Sequence, residues 1–276
     1  MSYSERQQAM LEAMGIKVWT APTVTPRTTP PTTPPTTPPA AAVAAPPSAV
    51  AEAAAPLAAV LPPVPVMPPA PSLPAGAREQ AIAALDWTAL RESVAGCRAC
   101  GLCEARKQTV FGVGNEQAHW MVVGEAPGEQ EDLQGEPFVG QAGKLLDNML
   151  RALGLSRAEG PPSSQVFIAN TLKCRPPRNR NPEPAELAQC EPYLNRQIAL
   201  VQPRIILAMG RFAVQSLLRS NEPIGKLRGR VHEYQGVPLI VTYHPAYLLR
   251  NLVDKARAWE DLCLAMDTLQ RQGDKT

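Results

Sequence analysis

The chain has 276 residues, which permits one or two domains, and its net charge of +2 excludes nucleic-acid binding through bulk charge alone. Of its 31 prolines, 18 lie in residues 21–76, a stretch made mostly of Pro, Ala and Thr. This stretch has too few large apolar side chains to offset the entropy of ordering, which predicts a disordered linker. Residues 77–276 are long enough for one sizeable core.

We find no secretory signal and no apolar run that approaches the length of a membrane span. We therefore expect a cytoplasmic, monomeric protein that does not bind membranes. Six cysteines in such a protein indicate metal binding, catalysis or core packing rather than disulfides.

Residues 1–20 are predicted to form a short helix, since Met10, Leu11 and Met14 have the spacing of one helical face and Gly15 follows them. The pattern from Leu11 to Trp19 is similar to the N-terminal peptide by which the psi subunit of the bacterial clamp loader holds the chi subunit. That likeness implies a replisome-associated partner for residues 1–20. The alternative is a helix that packs on its own domain.

From residue 77 onward, helical and apolar extended segments alternate. The predicted helices cover residues 78–94, 144–153, 184–201, 211–218 and 255–270. The predicted strands cover residues 120–124, 166–171, 204–209 and 237–242. Strands that are apolar along their whole length indicate a sheet buried on both faces. The sequence therefore predicts a three-layer α/β/α sandwich with a central, mostly parallel four-stranded sheet, in which ligands bind at the carboxyl ends of the strands.

Five cysteines have the spacing of a metal site. Cys97, Cys100 and Cys103 lie in one short run, and Cys174 and Cys190 follow about 70 residues later. Two distant cysteine pairs can close a thiolate site for zinc or for an iron–sulfur cluster, and the spacing leaves both open. Cys263 lies in a predicted amphipathic helix and is expected to be a core residue.

Polar motifs directly follow three of the predicted strands. The first strand ends in the loop from Gly124 to Asp132, which is not a nucleotide-binding Walker loop and is followed by Phe138 between two glycines. The second strand leads into Asn170, and the fourth into His244 before a proline. Taken one at a time, such residues are more often packing or capping residues than functional ones.

Together, the motifs GEAPGEQED, PFVG, KCRPPRNR and HPAYLLRN resemble the family 4 uracil-DNA glycosylases over roughly residues 90–270. The resemblance implies a monofunctional enzyme of base excision repair that removes uracil from single- or double-stranded DNA and leaves an abasic site. It also implies a 4Fe-4S cluster, held by Cys97, Cys100, Cys174 and Cys190. Cys103 is not required by the family pattern and leaves the exact ligand set open.

The resemblance further implies roles in the base pocket. Phe138 would stack on the extruded uracil, Asn170 would read its Watson–Crick edge, and His244 would donate to uracil O2. Backbone amides of Glu125 and Ala126 would add donors in the manner of an oxyanion hole. Several members of the superfamily carry an acidic residue or Asn where this chain has Ala126. Glu125 or Glu131 would then position the attacking water, and Glu131 could instead exclude the methyl group of thymine.

Basic and apolar residues near these motifs are candidates for DNA contact. Tyr247 and Leu248 would fill the gap left by the flipped base, with Arg250 on a phosphate; alternatively, Leu248 packs in the core. Arg175, in the stiff basic loop after Cys174, is a second candidate for phosphate contact, and Arg228 is a third.

Two rival interpretations are a superfamily variant that binds or cross-links uracil-DNA without turnover and a zinc-stabilised nucleic-acid-binding scaffold. The first is disfavoured because the segment before the His244 motif, residues 226–232, lacks an inserted basic loop.

Overall fold

A computed structural model describes residues 76–273. The predicted helix of residues 1–20 lies outside the described residues, as does the predicted linker up to residue 75. Both stay predictions.

A six-stranded sheet forms the centre of the described domain, in the order β1-β3-β2-β4-β6-β5. The strands are β1 (Val113–Gly114), β2 (Trp120–Gly124), β3 (Val166–Asn170), β4 (Ile205–Met209), β5 (Val231–Tyr234) and β6 (Val237–Thr242). The four predicted strands are the parallel ones, and every residue of β2, β3 and β4 is buried. The prediction of four strands missed β1 and β5, which pair antiparallel at the two edges. β1 is only two residues long and β5 is half exposed, so neither has the apolar run of the inner strands.

Helices of very different lengths surround the sheet in the described part of the chain. They are α1 (Ala77–Ala83), α2 (Trp87–Ala95), α3 (Leu102–Ala105), α4 (Glu129–Gln134), α5 (Gln141–Ala152), α6 (Pro184–Val201), α7 (Arg211–Leu218), α8 (Ile224–Leu227), α9 (Pro245–Leu248) and α10 (Asp254–Gly273). The single helix predicted over residues 78–94 is two helices, because Asp86 interrupts it and caps α2 by accepting a hydrogen bond from the Ala89 amide at 2.9 Å.

Successive residues of the inner strands point into two separate cores. Met121 and Val123 pack in the core formed with α1, α2, α6 and α7, whereas Trp120 and Val122 pack in the core formed with α5, α9 and α10. Alternation along a strand sends neighbouring side chains to opposite faces, so both faces are covered by helices. The predicted three-layer α/β/α sandwich is confirmed. Cys263 of α10 packs beside the second core, as predicted.

Across residues 76–273, none of the helices has the length and apolar character needed to cross a bilayer.

Candidate active site

A cleft of about 970 Å³ opens at the carboxyl ends of the parallel strands. Its walls come from the loops that follow β2, β3, β4 and β6, which is where a ligand site is expected in such a sheet. The predicted site residues in its lining are Glu125, Ala126, Glu131, Phe138, Asn170, His244, Tyr247 and Arg250. The structure therefore brings the strand-end motifs, which are up to 120 residues apart in sequence, into one cavity.

Asn170 ends β3 and lies against Gly124, the last residue of the neighbouring strand β2. Its side chain is almost fully buried, and its Oδ1 has no hydrogen-bond partner among the described residues. A buried amide oxygen without a partner costs free energy unless a ligand supplies the missing donor. Asn170 is thus arranged to accept a hydrogen bond inside the cleft.

Phe138 is held in a left-handed backbone conformation, with φ of 55°. The Arg157 guanidinium donates to the carbonyls of Pro137, at 2.9 Å, and of Phe138, at 3.2 Å. Gly143 allows α5 to pass close by, since a Cβ there would lie 1.7 Å from the Phe138 carbonyl oxygen. These contacts fix an unfavourable conformation for a bulky residue, as is common at functional sites.

His244 follows β6 and stacks on Phe138, with ring centroids 5.3 Å apart and planes 27° from parallel. Its Nδ1 accepts a hydrogen bond from the Ala246 amide at 3.2 Å, so the proton of the neutral ring resides on Nε2. Burial, aided by the positive charge of Arg250, lowers the pKa of His244 to about 4. At neutral pH the ring is therefore an uncharged donor through Nε2.

Glu125 and Glu131 both line the cleft, and both carboxylates are bonded to backbone amides. Glu125 accepts from the Phe212 amide at 3.0 Å, at the start of α7, while burial raises the pKa of its carboxyl group. Glu131 accepts from Gly128 at 3.0 Å and from Val139 at 3.1 Å, so it ties the loop after β2 to the loop that carries Phe138. Neither carboxylate is a freely solvated loop residue.

The residues after His244 divide into buried and exposed ones. Leu248 is 0% exposed and packs in the core with α5 and α10, which favours the alternative that it is a core residue over insertion into DNA. Helix α9 turns Leu248 inward, whereas Tyr247 and Leu249 stay exposed, and Leu252 and Val253 further along are 62% and 85% exposed.

Arg228 lies outside the cleft lining, and its phosphate contact stays a prediction. Its guanidinium is 14% exposed and pairs with Glu260 at 2.9 Å and with Asp261 at 3.0 Å. Arg175 also lies outside the cleft lining; it donates to Asn179 at 2.8 Å and pairs with Glu129 at 3.3 Å. Its contact with DNA stays a prediction.

A second, small cavity, here called the cysteine cavity, is lined by Cys97, Cys100, Cys103, Cys174 and Cys190. Ala126 packs beside these residues and also lines the cleft, so the two cavities are neighbours. Arg106 donates to the Cys174 sulfur at 2.9 Å, and the Lys173 amide donates to the Cys190 sulfur at 3.5 Å. In the part of the chain that the structure describes, no three potential ligands converge as a single metal ion needs.

Burial of the cysteine cavity disfavours the thiolate form of its cysteines. Burial raises the pKa of Cys100 and Cys174, and raises that of Cys190 to about 12. Thiolates in such surroundings form only beside a compensating positive charge, such as a metal centre. The five cysteine sulfurs, two of which accept N–H hydrogen bonds, are soft donors of the kind that thiolate-bound centres use.

Sequence reasoning missed four residues that shape the site. Gly124 and Gly143 permit close contacts, Arg157 fixes the Phe138 loop, and Lys173 is buried behind Asn170. Gly124 opens the first motif and Gly143 follows the PFVG motif, but only the packing in the folded chain shows which contacts each of them permits.

The described domain is an α/β/α sandwich whose parallel strands end at a cleft with an aromatic ring, a buried amide and a neutral imidazole. A family model for the uracil DNA glycosylase superfamily matches residues 111–263. Three relatives, each called type-4 uracil-DNA glycosylase, are similar over most of their length. That of Archaeoglobus fulgidus is 44% identical over 164 residues, which cover 56% of this chain and 79% of the relative.

The relative from Saccharolobus solfataricus is 45% identical over 59% of this chain and 76% of its own length. That from Thermotoga maritima is 39% identical over 66% of this chain and 94% of its own length. The chain belongs to the uracil DNA glycosylase superfamily, in the type-4 group. The family resemblance seen in the motifs is confirmed.

Proposed function

We propose that the protein hydrolyses the N-glycosidic bond of uracil in DNA, as the first step of base excision repair, and leaves an abasic site. The proposal depends on one observation. Phe138, Asn170 and His244 all line one cleft at the carboxyl ends of the strands. The names of the type-4 relatives support the same activity. A base can enter such a cleft only after it has been extruded from the stack.

Asn170 would select uracil. Its buried Oδ1 can accept from uracil N3–H while its NH₂ donates to O4. Cytosine presents the reverse pattern at both atoms, so its binding would leave buried polar groups unpaired. A site built in this way rejects the mismatched base by on the order of 10⁴-fold. Stacking on Phe138 would contribute about 1–3 kcal/mol without selecting among pyrimidines.

His244 would stabilise the departing base. Negative charge grows on uracil O2 as the glycosidic bond breaks, and the Nε2–H of a neutral imidazole can donate to it. The amides of Glu125 and Ala126 would add to the donors. Removing one such donor typically costs about 2.7–4 kcal/mol of transition-state stabilisation.

The attacking water would be held by Glu125, whose buried carboxylate lines the cleft. Glu131 would keep the Phe138 loop in place and close the space beside the ring against the methyl group of thymine. Because amides engage both carboxylates, we assign most of the rate enhancement to stabilisation of the leaving base.

Contacts with DNA would surround the mouth of the cleft. Tyr247 and Arg250 line it, and the exposed side chains of Leu249 and Leu252 follow within five residues. These side chains, rather than Leu248, would occupy the gap in the duplex, with Arg250 on a phosphate.

Cys97, Cys100, Cys174 and Cys190 would hold a 4Fe-4S cluster in the cysteine cavity, with Cys103 beside it. Bound there, the cluster would tie the loop between α2 and α3 and the loop after β3 to α6. The proposal rests on the five sulfurs that share one cavity and on the family resemblance. Measuring iron, zinc and acid-labile sulfide per chain, with Cys190→Ala and Cys103→Ser as variants, tests it: only Cys190→Ala should lose the iron.

Residues 1–20 would bind a replisome-associated partner, with the Pro-rich segment as a tether. A pull-down with these residues, compared with the same peptide carrying Trp19→Ala, tests the idea. Recovery of no protein, or no effect of Trp19→Ala, would remove it.

The activity is tested by measuring uracil release from single- and double-stranded oligonucleotides with protein of known iron content. The chain should release free uracil, and Asn170→Asp should lower both the rate and the preference over cytosine while DNA affinity changes little. Binding or covalent attachment to uracil-DNA without release would instead identify a non-turnover variant.

A further inference from the structure

Lys173 is a buried lysine between the cysteine cavity and the cleft. Its side chain is among the largest in the described domain to be fully buried, at 1% exposure. A buried ammonium group is costly in free energy unless hydrogen-bond acceptors surround it.

The acceptors of the Lys173 ammonium lie on β3 and on α6. Its Nζ donates to the backbone carbonyl of Asn170 at 2.7 Å and to the side-chain oxygen of Gln197 at 2.6 Å. Gln197, on α6, is itself fixed because its amide donates to the Phe111 carbonyl at 2.9 Å. The end of β3 is therefore anchored to α6 through one buried ammonium.

The backbone of Lys173 is fixed as well. Its amide donates to the Cys190 sulfur at 3.5 Å, and its carbonyl accepts from the Val110 amide at 2.8 Å. One residue thus contacts both the wall of the cysteine cavity and the backbone of Asn170.

An anchor on the backbone of Asn170 matters because its side-chain Oδ1 has no hydrogen-bond partner among residues 76–273. No hydrogen bond to that oxygen holds the amide plane, so its direction depends on the backbone and on packing against Gly124 and Phe138. The hydrogen bond from Lys173 fixes the carbonyl of the same residue.

We propose that Lys173 is a positioning residue that holds Asn170 in its base-reading orientation and thereby joins the cysteine cavity to the recognition of the base. The inference rests on the proposed function. Lys173 does not touch the base; it acts through Asn170.

A double-mutant cycle measures this dependence. Lys173→Met keeps most of the side-chain volume and removes the ammonium. In the wild-type background it should lower the single-turnover rate of uracil release by about tenfold or more, as expected for loss of a charged hydrogen bond. In an Asn170→Ala background it should lower the rate less than about twofold, because the group through which it acts is gone.

Three measurements distinguish a positioning role of Lys173 from general structural damage. Lys255→Met, at a buried lysine of α10 away from the cleft, is the matched control and should leave the rate unchanged. The side-chain amide signals of Asn170 in a ¹H–¹⁵N spectrum, assigned with Asn170→Ala, should shift in Lys173→Met and stay in place in Lys255→Met. Iron per chain should match that of the wild type.

An equal loss in both backgrounds, or unmoved Asn170 amide signals, would overturn the inference. If Lys173→Met does not fold, Gln197→Met removes the second acceptor of the ammonium and must show the same dependence on Asn170. A wild-type chain that releases no uracil contradicts the proposed function itself, whereas an active wild type with additive losses contradicts only the role of Lys173.

Discussion

Asn170 and Gly124 lie so close together that a methyl group on Gly124 would come within 2.4 Å of the Asn170 side-chain oxygen. The same methyl group would lie 2.6 Å from the ring of Phe138. The absence of a side chain at the end of β2 is therefore what allows the amide and the aromatic ring to share one wall of the cleft.

Gly124→Ala should displace both groups and lower single-turnover uracil release by about 10²-fold, the usual cost of a misplacement near 1 Å. Overpacking should also lower the free energy of unfolding by about 1–3 kcal/mol. Gly160→Ala, where the nearest atom to the new Cβ would lie 3.6 Å away, is the matched control and should change neither quantity. Wild-type activity in Gly124→Ala would show that Asn170 and Phe138 need not occupy these positions.

The depressed pKa of His244 predicts a pH dependence. Because the pKa is about 4 in the folded protein and about 6.5 when unfolded, the unfolded chain binds more protons between these values. The contribution of His244 to stability is therefore full above pH 6.5 or so and declines as the pH falls toward about 4.

During uracil release, His244 should remain a neutral hydrogen-bond donor down to a pH of about 4. His244→Ala should be slower by about 10²–10³-fold at neutral pH, the cost of one lost donor. Thermal unfolding of both proteins across this range, with rates measured alongside, checks the prediction. A stability difference between the two proteins that stays constant from pH 6.5 down to about 4 would contradict a neutral, buried imidazole.

Glu131→Gln tests whether the Glu131 carboxylate holds the loop after β2 against the loop that carries Phe138. A glutamine presents one acceptor oxygen instead of two, so the amide of Gly128 or that of Val139 loses its partner. We expect a loss of about 1–3 kcal/mol in the free energy of unfolding. Uracil release should also slow, because the Phe138 loop is no longer held. Glu136→Gln, at an exposed position in the same loop, should be neutral in both assays.

Truncation of Leu248 should lower the stability of the protein, whereas truncation of Leu252 should lower its activity on double-stranded DNA. Leu248→Ala removes a fully buried side chain and should cost about 2–5 kcal/mol of stability. Leu252→Ala should change stability by less than about 0.5 kcal/mol. It should slow release from double-stranded DNA more than from single-stranded DNA, because only the duplex has a gap to fill. Equal slowing on both substrates would exclude a wedge role for Leu252.

The amino-acid sequence alone determined the sandwich and the strand-end motifs. The four inner strands are apolar along their whole length, which marks burial on both faces, and Asn170 and His244 stand at their ends. The edge strands β1 and β5 lacked that signal. The spacing of the cysteines likewise indicated a shared site, and five of them do line one cavity.

Only the tertiary structure decided which side chains face the cleft. The turn of α9 places Leu248 in the core and leaves Leu252 exposed, and Arg228 is occupied by the carboxylates of α10. The same holds for Lys173, which looks like an ordinary basic residue beside a cysteine and is in fact buried against Gln197 of α6. Such roles depend on contacts between segments distant in sequence, and a local pattern does not specify what a side chain will meet across the fold.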